Sequence, residues 1–226
     1  MDKILIVGSS SGMGAALAKL ACKHFDVYSI SRSADTANVE RHFSRDVLED
    51  DLPSIDEPLR GLVYCPGSID LKPFARCKAE EFTAHLQLNL LGAVRCLQHY
   101  QRNLQAAENA SVVLFSSVAV QTGFPYHSLV SASKGAVEGL TRALAAEWAP
   151  KIRVNAIAPS LTDTPLAAHL IREDSKKQAA AIRHPLKRLG QAEDIAHMAL
   201  FLLSERSAWM TGQILTVDGG ISSIKT

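Results

Sequence analysis

One stretch near the N-terminus constrains this chain more than any other. The apolar run Ile4–Val7 passes directly into Gly8-Ser-Ser-Ser-Gly12-Met-Gly14, which opens the helical pattern Met13–His24. Glycine serves where φ is positive or where backbone must approach another group closely. The helix start beyond offers free N–H groups and the positive end of the helix dipole, which suits a pyrophosphate. Glycines alone would make only a turn, but a strand before them and a helix after them form the opening of a dinucleotide-binding βαβ unit. Gly8, Ser10, Ser11, Gly12, Met13 and Gly14 are therefore expected to contact a dinucleotide.

The remaining sequence repeats the same alternation. Strands are expected at Ile4–Val7, Val27–Ser31, Val39–Phe43, Leu62–Cys65, Val112–Ser116, Arg153–Ala158 and Gln213–Val217. Helices are expected at Met13–His24, Ala79–Ala106, Ser131–Trp148 and Ala192–Ser204. This order predicts an α/β fold: one Rossmann-type doubly wound domain over residues 1–226, with a mostly seven-stranded parallel sheet flanked by helices. Ligands of such sheets lie at the carboxyl ends of the strands. Chemistry is thus expected at Gly8–Gly14, Ser31–Arg32, Asp46, Cys65–Gly67, Ser116–Ser117 and Pro159–Thr164.

Composition removes several classes of function. Net charge is +1 over 226 residues, with no basic stripe for a nucleic acid. No stretch approaches the ~20 apolar residues of a membrane span, and the N-terminal apolar run is too short for a signal peptide. A cytoplasmic protein without a membrane or nucleic-acid partner is expected. Four scattered cysteines without a CxxC pair, and eight histidines without HExxH spacing, predict reduced thiols and no metal site.

The second strand chooses between cofactors. An NAD site usually ends this strand in Asp or Glu, which accepts hydrogen bonds from the ribose 2′-OH. Here Ser31 and Arg32 stand instead, and a guanidinium can hold a 2′-phosphate. NADP(H) is expected over NAD(H); the alternative is an arginine that merely closes a strand at the surface.

Several further segments resemble the short-chain dehydrogenase/reductase family along the whole chain. They are Gly8-x-x-x-Gly12-x-Gly14, Asp46-Val47, Asn89-Leu-Leu-Gly92, Phe115-Ser-Ser-Val118, Ser131-Ala-Ser-Lys134, Arg153-Val-Asn-Ala-Ile-Ala-Pro159 and the tail from Pro185 through Asp218-Gly-Gly220. The resemblance implies that Asp46 and Val47 contact the adenine and that Pro159 and Thr164 lie at the nicotinamide. It implies that Lys134 binds the ribose, that Ser117 orients a substrate oxygen and that Asn89 holds a relay water. Cys65 and Gly67 fall where the family has the end of Asn-Asn-Ala-Gly. The segment from Asp46 to Gly61 is too short for the helix that usually joins strands three and four.

The resemblance also implies a tyrosine four residues before the lysine, to pass the proton. Val130 stands there. Tyr126, His127 and a water held near Asn89 and Ser117 are the alternative proton carriers. The expected activity is hydride transfer between NADP(H) and a small carbonyl or alcohol substrate, covered by the segment Pro165–Pro185. The alternative is a non-catalytic NADP(H)-binding sensor or structural subunit on the same fold. The family resemblance further implies a homodimer or homotetramer.

Overall fold

The computed structural model describes residues 1–33 and 39–225. Seven strands form one parallel sheet: β1 (Lys3–Val7), β2 (Asp26–Ser31), β3 (Arg41–Ser44), β4 (Gly61–Tyr64), β5 (Ala110–Phe115), β6 (Ile152–Pro159) and β9 (Ile214–Val217). Their spatial order is β3-β2-β1-β4-β5-β6-β9. The order reverses between β1 and β4, which opens a crevice beyond their carboxyl ends. A separate two-stranded ribbon pairs β7 (Thr162–Asp163) with β8 (Gly190–Gln191).

Both faces of the sheet are covered, so the central strands are nearly continuous apolar runs rather than alternating ones. On one face α1 (Gly12–Ala21) and α7 (Ala192–Leu203) bury Leu17, Ala21, Ala199 and Leu202 against Ile4, Ile6, Val63 and Val113. On the other, α3 (Gly92–Ala106) and α5 (Ser128–Trp148) bury Leu97, Tyr100, Val137 and Trp148 against Leu5, Leu62, Val112 and Val154. The remaining helices are α2 (Ala79–Leu86), the short α4 (Val118–Gln121) and α6 (Asp174–Arg183).

The edge strand β3 runs over Arg41–Ser44 rather than Val39–Phe43, because pairing with Tyr28–Ser31 of β2 sets its register. No helix forms between β3 and β4, in keeping with the short spacing. This strap is instead held by α3: Arg95 donates to the carbonyls of Val47 and Asp50, Tyr100 to that of Pro53, and Asn103 to those of Ile55 and Glu57. Buried Leu52, Ile55 and Leu59 anchor it.

The single helix expected over Ala79–Ala106 is interrupted. A π turn at Gln87–Leu91 separates α2 from α3. Asn89 Nδ2 caps the His85 carbonyl at 2.9 Å and the Tyr64 hydroxyl donates to the Leu88 carbonyl at 2.8 Å, so side chains bond two carbonyls of this region. π turns of this kind are rare and often sit at functional sites. Tyr64 also fits against Gly92 so closely that a β-carbon there would overlap the phenol oxygen. Gly92→Ala should therefore lower stability by about 1–3 kcal/mol, read as a fall in Tm by thermal denaturation. In a Tyr64→Phe background the same change should cost clearly less, and an unchanged cost would show that the phenol is not the obstacle.

Candidate functional site

The glycine loop shapes the first half of the site. Gly8 and Gly12 adopt φ of +82° and +55°, conformations that L side chains rarely take. A β-carbon on Gly14 would overlap the carbonyl oxygen of Gly8, so only glycine lets α1 start this close to β1. Ser11 precedes α1 in an extended conformation and its side chain makes no capping bond. The first N–H groups of α1 therefore lack the usual side-chain acceptor. This cradle fits a pyrophosphate.

A cleft runs from this loop across the switch point. Gly8, Ser10, Ser11, Gly12, Met13 and Gly14 line it on one side, and Ser31, Arg32, Asp46 and Val47 on another. Cys65, Gly67 and Thr164 close it. Arg32 stands at the mouth with its side chain 82% exposed and 4.0 Å from Asp46. Such a loose surface pair is worth at most about 1 kcal/mol, so the guanidinium remains available to an anion.

Met13, Cys65, Gly67 and Thr164 also line a second cavity of about 420 Å³, so the two spaces meet. Ser117, Val130, Lys134, His127 and Pro159 line this second space. Ser117 starts α4, and its oxygen accepts the Ala119 N–H at 3.2 Å, which leaves the hydroxyl hydrogen free for a ligand. Lys134 is buried on α5, its Nζ donating to the Phe115 carbonyl at 2.9 Å. Burial pushes its pKa down to about 8, partly opposed by the neighbouring Cys65 thiol. Desolvation in turn raises that thiol to about 12, despite the lysine. At neutral pH the site thus holds an ammonium and an un-ionised thiol.

Val130 is buried one turn before Lys134 and forms part of the cavity wall. The alternative proton carriers separate. Tyr126 has φ of +70° and is 59% exposed, and it lines neither cavity. Helix α5 begins at Ser128, three residues before the expected Ser131 but still after Tyr126, whose left-handed backbone sends the phenol outward. His127 does line the cavity, and its Nδ1 bonds the Pro125 carbonyl at 2.7 Å. A carbonyl only accepts, so Nδ1 carries the hydrogen and a neutral ring presents Nε2 as an acceptor. Asn89 lies just behind the wall: it is buried and bonded to Ser68, His85 and Ser133.

The segment Pro165–Pro185 folds over the cavity as a 3-10 stretch, Pro165–Leu170, followed by α6. Leu166, Leu170, Lys176 and Arg183 line the cavity, while Lys177 pins the segment through Asp163 at 2.6 Å. Ser160, on the turn after β6, bonds His184 Nε2 at 2.9 Å. Ser160 falls within the expected segment Pro159–Thr164, but three other polar residues of the cavity region, Ser68, His85 and His184, have no signal in the sequence. No motif marks them, and each acquires a partner only through the turn or helix that the fold brings alongside. Among the described residues, no His, Cys, Asp and Glu cluster is placed to hold a metal, and no helix is long and apolar enough to cross a membrane.

A parallel sheet with this crossover, a glycine cradle at its switch point and a lysine–serine cavity beside it define a dinucleotide-binding oxidoreductase architecture. Residues 8–222 match the family model described as enoyl-(acyl carrier protein) reductase. A tropinone reductase homolog of Arabidopsis thaliana is 38% identical over 162 residues, 71% of this chain and 62% of that protein, so the match spans less than two thirds of the relative's length. The 3-oxoacyl-[acyl-carrier-protein] reductase of Homo sapiens is 34% identical over 243 residues, covering 99% of this chain and 100% of that protein. A gluconate 5-dehydrogenase from Burkholderia cenocepacia, solved in complex with NADP and tartrate, superimposes with a TM-score of 0.88 at 27% identity, covering 99% and 96% of the two chains. The chain belongs to the short-chain dehydrogenase/reductase family of oxidoreductases.

Proposed function

We propose that this protein is an NADP(H)-dependent reductase of small, partly apolar carbonyl compounds, running in reverse as an alcohol dehydrogenase. The observation that carries this reading is the junction of the two cavities: the dinucleotide cradle opens, past Cys65 and Thr164, onto the space that holds Ser117 and Lys134. A nicotinamide held in the cradle would supply the hydride for the carbonyl carbon. The chain's own part is to bind and orient. The Lys134 ammonium holds the ribose, the free Ser117 hydroxyl hydrogen points a carbonyl oxygen, and the cover from Pro165 to Pro185 excludes water. A non-catalytic binder would use Lys134 for the ribose but would have no use for an uncommitted serine hydroxyl in the second cavity.

Val130 replaces the family's tyrosine in this reading, so the proton must come from elsewhere. The preference for the phosphorylated cofactor rests on Arg32. A charge-assisted guanidinium–phosphate contact is worth about 1.5–3 kcal/mol. Fluorescence titration should therefore give NADPH a roughly 10- to 100-fold lower Kd than NADH. Arg32→Asp should remove that preference or reverse it, and equal affinities in the wild type would overturn the role of Arg32. Turnover of NADPH with a panel of diketones and quinones tests the reaction itself. We further propose that the protein works in the cytoplasm as a homodimer or homotetramer, which sedimentation would test.

A further inference from the structure

Behind the cavity wall runs a chain of polar groups that neither the cofactor cradle nor the Ser117–Lys134 pair uses. Ser68, on the turn after β4, lines the cavity. Its Oγ lies 3.1 Å from His85 Nδ1, and His85 Nε2 lies 2.9 Å from a carboxylate oxygen of Asp70. The His85 ring is almost wholly buried, whereas the Asp70 side chain is 66% exposed. Both ring nitrogens are thus engaged, one toward the cavity and one toward solvent. The Asp70 carboxylate only accepts, so a hydrogen resides on Nε2 and Nδ1 is the nitrogen that exchanges a proton with Ser68. Asn89 holds the inner end in place: its Nδ2 donates to Ser68 Oγ at 3.0 Å and its Oδ1 accepts the Ser68 N–H at 3.3 Å.

We propose that Ser68 and His85, backed by Asp70, form a proton-donating chain to the substrate oxygen, doing the work for which Val130 has no group. The proposal rests on the reading of the site as a carbonyl reductase. As the carbonyl carbon gains hydride, its π electrons move to oxygen, and that oxygen takes the Ser68 hydroxyl proton. Ser68 Oγ takes the Nδ1 proton of a His85 imidazolium, and the ring is left neutral with its Nε2–H on Asp70. After the product leaves, water in the cavity returns a proton through the Ser68 hydroxyl to Nδ1 before the next turnover. In the oxidative direction every transfer runs backward. The chain has the connectivity of a serine–histidine–aspartate triad, yet Asn89 already donates to Ser68 Oγ, which suits a proton donor better than a nucleophile. The charged groups facing the relay are Asp70 at its outer end and the Lys134 ammonium, which stands against Gly67 beside Asn89.

Four variants test the relay, Ser68→Ala, Ser68→Thr, His85→Gln and Asp70→Asn, with His127→Ala as the comparison. General acid–base catalysis is typically worth about 10²–10⁴-fold. Ser68→Ala and His85→Gln should lower kcat about 100-fold or more while KM and the NADPH Kd stay within about threefold. Ser68→Thr should restore most of what alanine loses. Asp70→Asn, an exposed position that does not endanger folding, should lower kcat about tenfold. The solvent deuterium isotope effect on kcat should grow in His85→Gln, which a purely structural role would not produce. If the wild type turns over and threonine fares no better than alanine, or if the loss is confined to His127→Ala, the relay is overturned and the reductase reading stands. A wild type that binds NADPH but reduces none of the carbonyl panel overturns both.

Discussion

Val130→Tyr is expected to raise carbonyl-reductase kcat about tenfold or more, with little change in NADPH affinity. The position is buried in the cavity wall one helical turn before Lys134, so both side chains share one face of α5. A phenol titrates near pH 10 in water, and an adjacent cation lowers that value by favouring the phenolate. Lys134, with its pKa near 8, is such a cation at neutral pH. The new hydroxyl would deliver a proton over the short path that the family uses. It should also make the longer path dispensable: His85→Gln should cost far less in the Val130→Tyr background than in the wild type. Stopped-flow and steady-state assays of the four proteins in this cycle give the coupling directly. A wild type that is already fast and is slowed by the tyrosine would show that the native donor occupies the same space.

Lys134→Met should change how stability depends on pH. A lysine held near 8 in the fold and at 10.5 when unfolded is more protonated in the unfolded chain between those values. Where the unfolded state binds more protons, stability rises with pH. Relative to Lys134→Met, the wild type should gain about 1.4 kcal/mol per pH unit between about pH 8 and 10.5, or about 3 kcal/mol in all. The buried thiols act with the opposite sign. Cys65 and Cys96, pushed from 9.0 to about 12, stay un-ionised in the fold where the unfolded chain releases their protons, so they reduce stability above about pH 9. Below that pH both thiols stay protonated in the folded and unfolded chains, so the difference between the two proteins reads the lysine; above it Cys96 cancels, while Cys65 also loses the lysine's neighbouring charge. Urea unfolding of the cofactor-free proteins at pH 7.5, 8.5 and 9.5 measures the slope. A flat difference would mean that Lys134 keeps its ordinary affinity for the proton.

The α/β architecture was legible because its signals are local. Seven β-rich runs and the main helical patterns recur in order, and a parallel crossover sheet is the arrangement that buries both faces of such strands. The glycine loop was legible for the same reason, since Gly8, Gly12 and Gly14 answer to backbone geometry within seven residues. Even the missing helix after β3 followed from a count of residues. Boundaries were less legible, as at β3, where pairing with β2 decided them, and at the start of α5.

The proposed proton path lay beyond the sequence. Tyr126 and His127 drew notice because they lie near Val130 along the chain, yet the left-handed turn at Tyr126 sends its phenol to solvent. The π turn at Gln87–Leu91 is equally invisible in a helical pattern, because it depends on Tyr64 reaching from β4 to the Leu88 carbonyl. Ser68, Asp70 and His85 lie as far as 17 residues apart on two elements and match no spacing rule. The sequence alone determined the strand order of events along the chain, the cradle for a pyrophosphate and the lack of a hydroxyl four residues before Lys134, all of which are set by near neighbours. Only the tertiary structure decided which polar side chains converge behind the cavity wall, because hydrogen bonds joining the loop after β4, the π turn and α5 depend on packing across the sheet rather than on spacing along the chain.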